Sequence, residues 1–149
     1  MTVRVQSQPF DAAAEYAAFR KHDNRGATVM FTGTVRSLGA PGRLDAMTLE
    51  HYPGMTEKAL RDIEAAARAR WSLRDVLIIH RHGRMEPGED IVLVLTASDH
   101  RRDAYEASMF LMDWLKTKAP FWKLEEGEEG ANWVEAKKSD DEAAERWGG

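Results

Sequence analysis

Two lysines in the last third of the chain flank a predicted corner of the backbone. Lys116 lies near the end of a helical run, and Lys123 follows Pro120 in the segment LKTKAPFWK, residues 115–123. Pro120 disfavours helix at Ala119 and cannot continue the helical hydrogen bonds, so the backbone is expected to become extended there. An ammonium group beside large apolar rings loses hydration and can hold an anion or act as a nucleophile. Alternatively, both lysines only complement the dipole of the helix C-terminus.

Three further cations could join these lysines in one anion-binding site. His100 and Arg101 lie where a strand-to-helix connection ends, so two basic side chains and the free N–H groups of a first helical turn meet there. Arg36 ends a predicted strand beside a loop rich in Gly and Pro, and its planar guanidinium suits a phosphate or carboxylate. Each residue alone is more often a solvated surface charge. Together the five would form a cationic pocket, if the fold brings them together.

Two of the histidines have a spacing that a metal site could use. His80 and His82 are two residues apart on a predicted strand, a spacing that places both on one face, as metal ligands require. His51 and the carboxylates have no zinc-like spacing that would complete the set, so no metal and no cofactor are predicted. The sequence also lacks a G-x-S-x-G elbow, a Walker A loop and a G-x-G-x-x-G fingerprint, which removes support for serine hydrolases, P-loop NTPases and Rossmann dehydrogenases.

Length and composition favour a single domain over residues 1–149. The chain has 149 residues with 43% hydrophobic content, enough for one core and too few for two large ones. No run approaches the roughly 18 apolar residues of a membrane helix, and the N-terminus lacks the apolar core of a signal peptide. We therefore expect a cytoplasmic protein that does not bind membranes.

Charge and cysteine content narrow the chemistry further. The formal net charge is −4, which disfavours nonspecific attraction to nucleic acid and means that an anion site must be a local cluster of cations. The chain has no cysteine, so disulfides, thiolate metal sites and a cysteine nucleophile are all excluded. Any sulfur chemistry needs a sulfur atom delivered by another molecule.

Hydrophobic periodicity and turn residues predict mixed helices and strands without strict βαβ alternation, which favours an α+β domain with largely antiparallel pairing. Asp11 is the predicted N-cap of the first helix, and Ser98-Asp99 that of the long helix that delivers Lys116. Predicted strands cover residues 2–6, 27–36, 44–52, 75–82, 90–97, 121–125 and 132–136. Predicted helices cover about 12–21, 55–70 and 101–118, with a last helix from about 139; a loop is expected at 37–43 and a turn at 85–89.

Several segments resemble the large, catalytic subunit of molybdopterin synthase, and the similarity runs through nearly the whole chain in order. The longer pieces, such as LEHYPGMTEKAL and LKTKAPFWK, are too unusual to match by chance. The matching segments are FTGTVRS at 31–37, TLEHYPGMTEKAL at 48–60, HRHGRMEPGED at 80–90, SDHRRDAYEASMFLMDWLKTKAPFWKLE at 98–125 and WVEAKKSDDEAAERW at 133–147.

This resemblance implies a fold, partners and a reaction. The implied fold is an α/β hammerhead-like domain with an additional small antiparallel β subdomain. The large subunit would form a homodimer and bind a small sulfur-carrier subunit at each end, giving a heterotetramer. The implied reaction installs two sulfurs in cyclic pyranopterin monophosphate as a dithiolene, each carried as a thiocarboxylate on the Gly-Gly C-terminus of the small subunit. A sulfur enzyme without cysteine is thereby explained.

The resemblance also implies site residues, and these coincide with the five cations. Arg36, His100 and Arg101 are expected to hold the phosphate and pterin, and Lys116 and Lys123 to act at the thiocarboxylate and the substrate carbons. Positioning and charge complementarity would supply most of the catalysis. The walls of the pocket are expected to include the backbone of Thr34 and Val35 on one side, and Leu124 and Glu125 on the other.

One feature departs from the family pattern. This chain itself ends in Gly148-Gly149, whereas a Gly-Gly tail belongs to the small partner. A sulfur carrier or conjugation partner that uses this tail is therefore an alternative, and a noncatalytic pterin-binding module is another.

Overall fold

The computed structural model describes residues 2–20, 25–36, 44–127, 130–134 and 138–148. Within these ranges the chain forms strands and helices in mixed order. The strands are β1 (Val3–Gln6), β2 (Ala27–Thr34), β3 (Leu44–His51), β4 (Leu73–Arg81), β5 (Gly83–Met85), β6 (Asp90–Ser98), β7 (Phe121–Gly127) and β8 (Gly130–Val134). The helices are α1 (Ala12–Phe19), α2 (Met55–Arg70), α3 (Arg101–Lys118) and α4 (Lys138–Glu145).

Most predicted elements are present, with differences at their ends. Asp11 is the N-cap of α1, as predicted, and its side chain accepts a hydrogen bond from the backbone N of Ala14 at 3.1 Å. The N-cap of α3 is His100 instead of Ser98 or Asp99, because Ser98 is still paired with β2 in the sheet. The predicted loop at 37–43 lies outside the described residues.

Strand β5 is an addition that the sequence did not predict. Gly83 has a φ of 94°, a conformation that favours glycine, and it turns the chain immediately after β4. The next residues then pair with β3, with Met47 opposite Met85. The predicted turn at 85–89 therefore begins at the last residue of a short strand.

The first sheet has the strand order β1-β4-β6-β2 and is covered on both faces. β1 pairs in parallel with β4, whereas β6 is antiparallel to both of its neighbours. Successive residues of β4 and β6 point to opposite faces, and both faces are covered, so the central residues of both strands, 76–79 and 91–95, are all apolar. One face of the sheet packs against α2 and α3 in the main core, around Ile78, Val94 and Phe110. The other face packs against α1 through Leu77, Ile79 and Phe19.

The second sheet has the order β5-β3-β7-β8 and is antiparallel throughout. A small apolar cluster joins it to the first sheet: Met47, Leu49 and Met85 of the second sheet pack with Val35, and Ile91 of β6 packs against them. The expected α+β architecture with an added antiparallel sheet is confirmed. None of the described helices is long and apolar enough to cross a membrane.

Candidate active site

Helix α3 and strand β7 meet at a sharp corner, residues 116–123, which we call the lysine corner. The helix ends at Lys118, and Ala119 is extended with φ −79° and ψ 134°, as the following proline requires. The backbone N of Phe121 donates to the carbonyl of Ala119 at 2.9 Å. Lys116 is exposed on the last turns of the helix, and Lys123 is half-buried on β7. The sequence prediction of a helix-to-strand corner is correct.

A buried threonine fixes this corner from the side of α2. Thr56 has no exposed surface, and its Oγ1 donates to the carbonyl of Pro120 at 3.3 Å. The same oxygen accepts a hydrogen bond from the backbone N of Tyr52 at 3.1 Å. Thr56 therefore links the start of α2 to the turn between the two lysines.

Lys123 belongs to the face of the second sheet that is directed toward the first sheet. It lies directly opposite Leu49 in the β3–β7 register, so the two side chains share a face. Leu49 is buried against Val35, the residue before Arg36. Thr34 and Arg36 are exposed, and Val35 is buried. Residues 34–36, which we call the exit of β2, therefore lie on the same side of the second sheet as Lys123.

The turn between β5 and β6 holds this exit. The backbone carbonyl of Val35 accepts a hydrogen bond from the backbone N of Gly88 at 2.7 Å. The backbone N of Val35 donates a hydrogen bond to the carbonyl of Glu89 at 2.9 Å. The Glu89 carboxylate accepts a bond from the backbone N of Glu86 at 2.6 Å and pairs with the buried Arg81 at 3.1 Å. Both bonds lower the pKa of the Glu89 carboxyl, and the bond from the backbone of Glu86 has the larger effect. Both backbone groups of Val35, the residue before Arg36, are therefore bonded to this one turn.

Topology places these residues at one end of the first sheet. Helix α3 runs back along β6, and Met112 and Leu115 near its end belong to the same core cluster as Val92 at the start of that strand. Val92 is opposite both His80 near the end of β4 and Gly33 near the end of β2. The lysine corner and the exit of β2 toward Arg36 consequently lie at the same end of the sheet.

His100 and Arg101 lie at the opposite end of α3. Both are exposed, and the neighbouring Ser98 pairs with Ala27 at the start of β2. Lys116 follows Arg101 by fifteen positions on one continuous helix, which corresponds to about 22 Å. Within one copy of the chain, Arg36, Lys116 and Lys123 therefore lie toward one end of the first sheet, and His100 and Arg101 lie toward the other.

The remaining predicted wall residues are described only through their backbone. Leu124 and Glu125 continue β7 after Lys123, opposite Thr48 and Met47 of β3. The strand thus extends from the lysine corner along the second sheet.

The three histidines weighed above as metal ligands, His51, His80 and His82, lie beside the lysine corner. The ring of His80 stacks on Phe121, with centroids 3.9 Å apart and planes 21° apart, while the rings of His51 and His82 lie 4.0 Å apart. Burial lowers the pKa of His80 to about 4, and the positive charge of Lys116 acts in the same direction. Burial also lowers the pKa of His82. Among the described residues, no group of three or more His, Asp or Glu is placed to hold a metal.

Sequence reasoning did not identify Thr56, His80 or Glu89 as neighbours of the site. Each lies within a segment that carries the family resemblance, TLEHYPGMTEKAL or HRHGRMEPGED. The available signal was therefore the segment itself, since nothing in the spacing of these residues links them to residues 36, 116 or 123.

The C-terminal segment is folded onto the main core. Trp147 packs edge-to-face on Trp71, with centroids 5.5 Å apart, and its Nε1 donates to Asp113 at 2.6 Å. Gly148 has a φ of 74°, and its N donates to the carbonyl of Glu145 at 3.0 Å. Gly148 therefore belongs to the turn that ends α4, and Gly149 lies outside the described residues.

Comparisons with known proteins identify relatives of this chain and of its fold. Residues 5–118 match the sequence profile described as MoaE protein. The molybdopterin synthase catalytic subunit of Haemophilus influenzae is 50% identical over 145 residues, 97% of each chain, and that of Escherichia coli is 52% identical over 143 residues, 96% of this chain and 95% of the other. The structure of the molybdopterin biosynthesis MoaE protein from Burkholderia ambifaria superposes with a TM-score of 0.84 at 50% identity, covering 99% of this chain and 98% of that one.

The fold is thus that of a known class of mixed α+β proteins. The chain belongs to the MoaE protein family. The resemblance inferred from the sequence is confirmed.

Proposed function

We propose that this protein is the catalytic subunit of a molybdopterin synthase, a sulfurtransferase of molybdenum cofactor biosynthesis. It would convert cyclic pyranopterin monophosphate into molybdopterin by installing the two sulfurs of the dithiolene. The observation that carries this proposal is the identity of about half of all residues, over nearly the full length of both chains, with relatives named as that subunit.

The sulfur would come from a second protein. This chain has no cysteine, so it cannot carry a persulfide or a thiolate of its own. The name "catalytic subunit" given to its relatives implies a further subunit. We propose a small sulfur-carrier subunit whose Gly-Gly C-terminus is a thiocarboxylate and which leaves each transfer as a carboxylate.

The residues near the lysine corner suit this chemistry. Lys116 would polarise the thiocarboxylate and move a proton at the substrate carbons, assisted by Lys123, while Arg36 would bind the phosphate with its planar fork of donors. Thr34 and Val35 would line one wall through their backbone, and the strand that continues from Lys123 through Leu124 and Glu125 would form the other.

His100 and Arg101 can join this site only from a second copy of the chain. The helix keeps them about 22 Å from Lys116 within one copy, too far to contact a single pterin. In a twofold-symmetric homodimer, each copy would supply its lysine corner to one site and the start of its α3 to the other. We therefore propose a homodimer with two small subunits, a heterotetramer, in which each pocket contains residues of both large subunits.

The proposal also places the reaction in the cytoplasm. The reducing conditions of that compartment suit a chain without disulfides. Fractionation of cells that express the protein would test this location.

The function is tested by reconstitution. The purified chain is mixed with a thiocarboxylated Gly-Gly partner and cyclic pyranopterin monophosphate, and mass spectrometry measures whether the pterin gains two sulfurs. Lys116→Ala and Lys123→Ala are expected to reduce product formation by about a hundredfold or more while the protein stays folded. Near-normal turnover by both variants rejects the assignment of the lysines.

The same assay separates the alternatives. A carrier that uses its own Gly148-Gly149 tail loses activity when these two residues are removed, whereas the enzyme retains it. The turn at Gly148 favours the enzyme, because a carrier tail must be extended to enter another protein's site. A noncatalytic pterin-binding module would bind the substrate without any gain of sulfur.

A further inference from the structure

The stack between His80 and Phe121 connects the two sheets at the lysine corner. His80 lies on β4 of the first sheet, and Phe121 is the first residue of β7 in the second. Their rings are almost parallel, with centroids 3.9 Å apart. In the sequence, Phe121 lies between the two lysines, five residues after Lys116 and two residues before Lys123.

The orientation of the imidazole is itself determined by a hydrogen bond. The Nδ1 of His80 lies 2.8 Å from the carbonyl oxygen of Arg81. Because a carbonyl oxygen only accepts, Nδ1 carries the proton and donates it. His80 is 5% exposed, so its ring can neither rotate toward solvent nor leave the stack without opening a cavity.

The ring also suits its position electrostatically. Burial, the charge of Lys116, and the nearby His51 and His82 together lower the pKa of His80 to about 4. At neutral pH the imidazole is therefore uncharged. The uncharged ring therefore adds no second positive charge to the field of Lys116.

We propose that His80 is a positioning residue for Lys116 and Lys123: its imidazole, stacked on Phe121, holds the lysine corner against the first sheet. Thr56 holds the preceding residue, Pro120, from the side of α2. Two consecutive residues of the corner are thus fixed from two different elements. This role in catalysis rests on the proposed sulfur transfer, because it acts through the two lysines.

The test compares His80→Leu with His80→Phe. Leucine keeps the apolar volume but removes the flat ring, whereas phenylalanine keeps an aromatic ring that can stack on Phe121. We expect His80→Leu to lower kcat by about 10- to 100-fold, as a displacement near 1 Å does, with a change in KM for the pterin below about threefold. We expect His80→Phe to stay within about threefold of the wild type, because the stack persists.

Amide hydrogen exchange supplies a readout that does not depend on turnover. The N–H of Phe121 is bonded to the carbonyl of Ala119, so a loosened corner exchanges this proton faster. We expect faster exchange at residues 119–123 in His80→Leu and unchanged exchange in His80→Phe. His82→Leu is the matched control, because the ring of His82 lies against His51 at a tilt of 35° and its loss leaves the Phe121 stack in place.

Three results would contradict the positioning role of His80. Wild-type turnover by His80→Leu, an equal loss in His80→Phe, or an equal loss in His82→Leu would each overturn the positioning role. If the wild-type protein transfers no sulfur at all, the proposed function fails on its own. Exchange then still decides whether His80 holds the corner, and unchanged exchange in His80→Leu refutes it.

Discussion

The buried imidazole of His80 makes the stability of this protein depend on pH in a way that one substitution should remove. The pKa of this group is lowered from 6.5 to about 4 in the folded protein, mainly by burial. Below pH 6.5 the unfolded chain binds a proton at this histidine that the folded chain excludes. Stability is therefore lost as the pH falls from 6.5 to about 4, and the loss is complete below that value.

The size of this effect follows from the two pKa values. A difference from 6.5 to about 4 corresponds to about 3 kcal/mol, with a slope of at most about 1.4 kcal/mol per pH unit for one proton. Three charged or titratable neighbours of His80 also lower its pKa: Lys116 on α3, His51 on β3, and His82, which follows β4. Only the hydrogen bond to the Arg81 carbonyl opposes them.

Denaturant unfolding of the wild type and of His80→Phe measures this contribution. The free energy of unfolding is determined at several pH values between 7 and 4, and the difference between the two proteins is taken at each pH. Other groups titrate equally in both proteins, so the difference should change by about 3 kcal/mol in favour of the variant as the pH falls. Parallel curves for the two proteins would contradict a buried, neutral His80.

Two further substitutions test the elements that hold the site. Thr56→Val removes the donor to Pro120 at constant volume and should lower the free energy of unfolding by about 1–3 kcal/mol, measured with denaturant; an unchanged value would show that this bond contributes nothing. Glu89→Gln weakens the pair with Arg81 that fixes the exit of β2. Because Arg36 would bind the substrate phosphate, this change should raise KM by about 3- to 10-fold with kcat nearly constant in steady-state kinetics, and a fall in kcat alone would be inconsistent with that role.

Local patterns determined most elements correctly. The alternation in β1, the Asp11 cap of α1, the apolar stripe of α2 and the break at Pro120 each depend on neighbouring residues, so the sequence predicts them. β5 could not be predicted in this way. It forms because Gly83 turns the chain back onto β3, and a three-residue strand carries no periodic signal of its own.

The candidate site shows the same division between local and long-range information. The chemistry of Arg36, Lys116 and Lys123 is visible in the sequence, and so is the corner between the two lysines. The contacts that hold them, from His80 to Phe121 and from Thr56 to Pro120, join residues 41 and 64 positions apart in the chain. Such pairs depend on how the sheets meet, which a single sequence does not specify.

The separation of His100 and Arg101 from the lysine corner is a further result that required the structure. The sequence suggested five converging cations, and the length of α3 prevents this within one copy. The proposed function therefore requires each site to combine the lysine corner of one copy with the start of α3 from the second.

Mixing two inactive variants tests that claim most directly. Lys116→Ala and Arg101→Ala chains are unfolded together and refolded, and sulfur transfer to the pterin is measured by mass spectrometry. Random pairing gives one intact site in half of the dimers, so activity should return to about 25% of the wild-type level. A mixture of Lys116→Ala and Lys123→Ala should remain inactive, because both changes lie in the same half of the site. No recovery in the first mixture, or equal recovery in the second, would contradict a site shared between two copies.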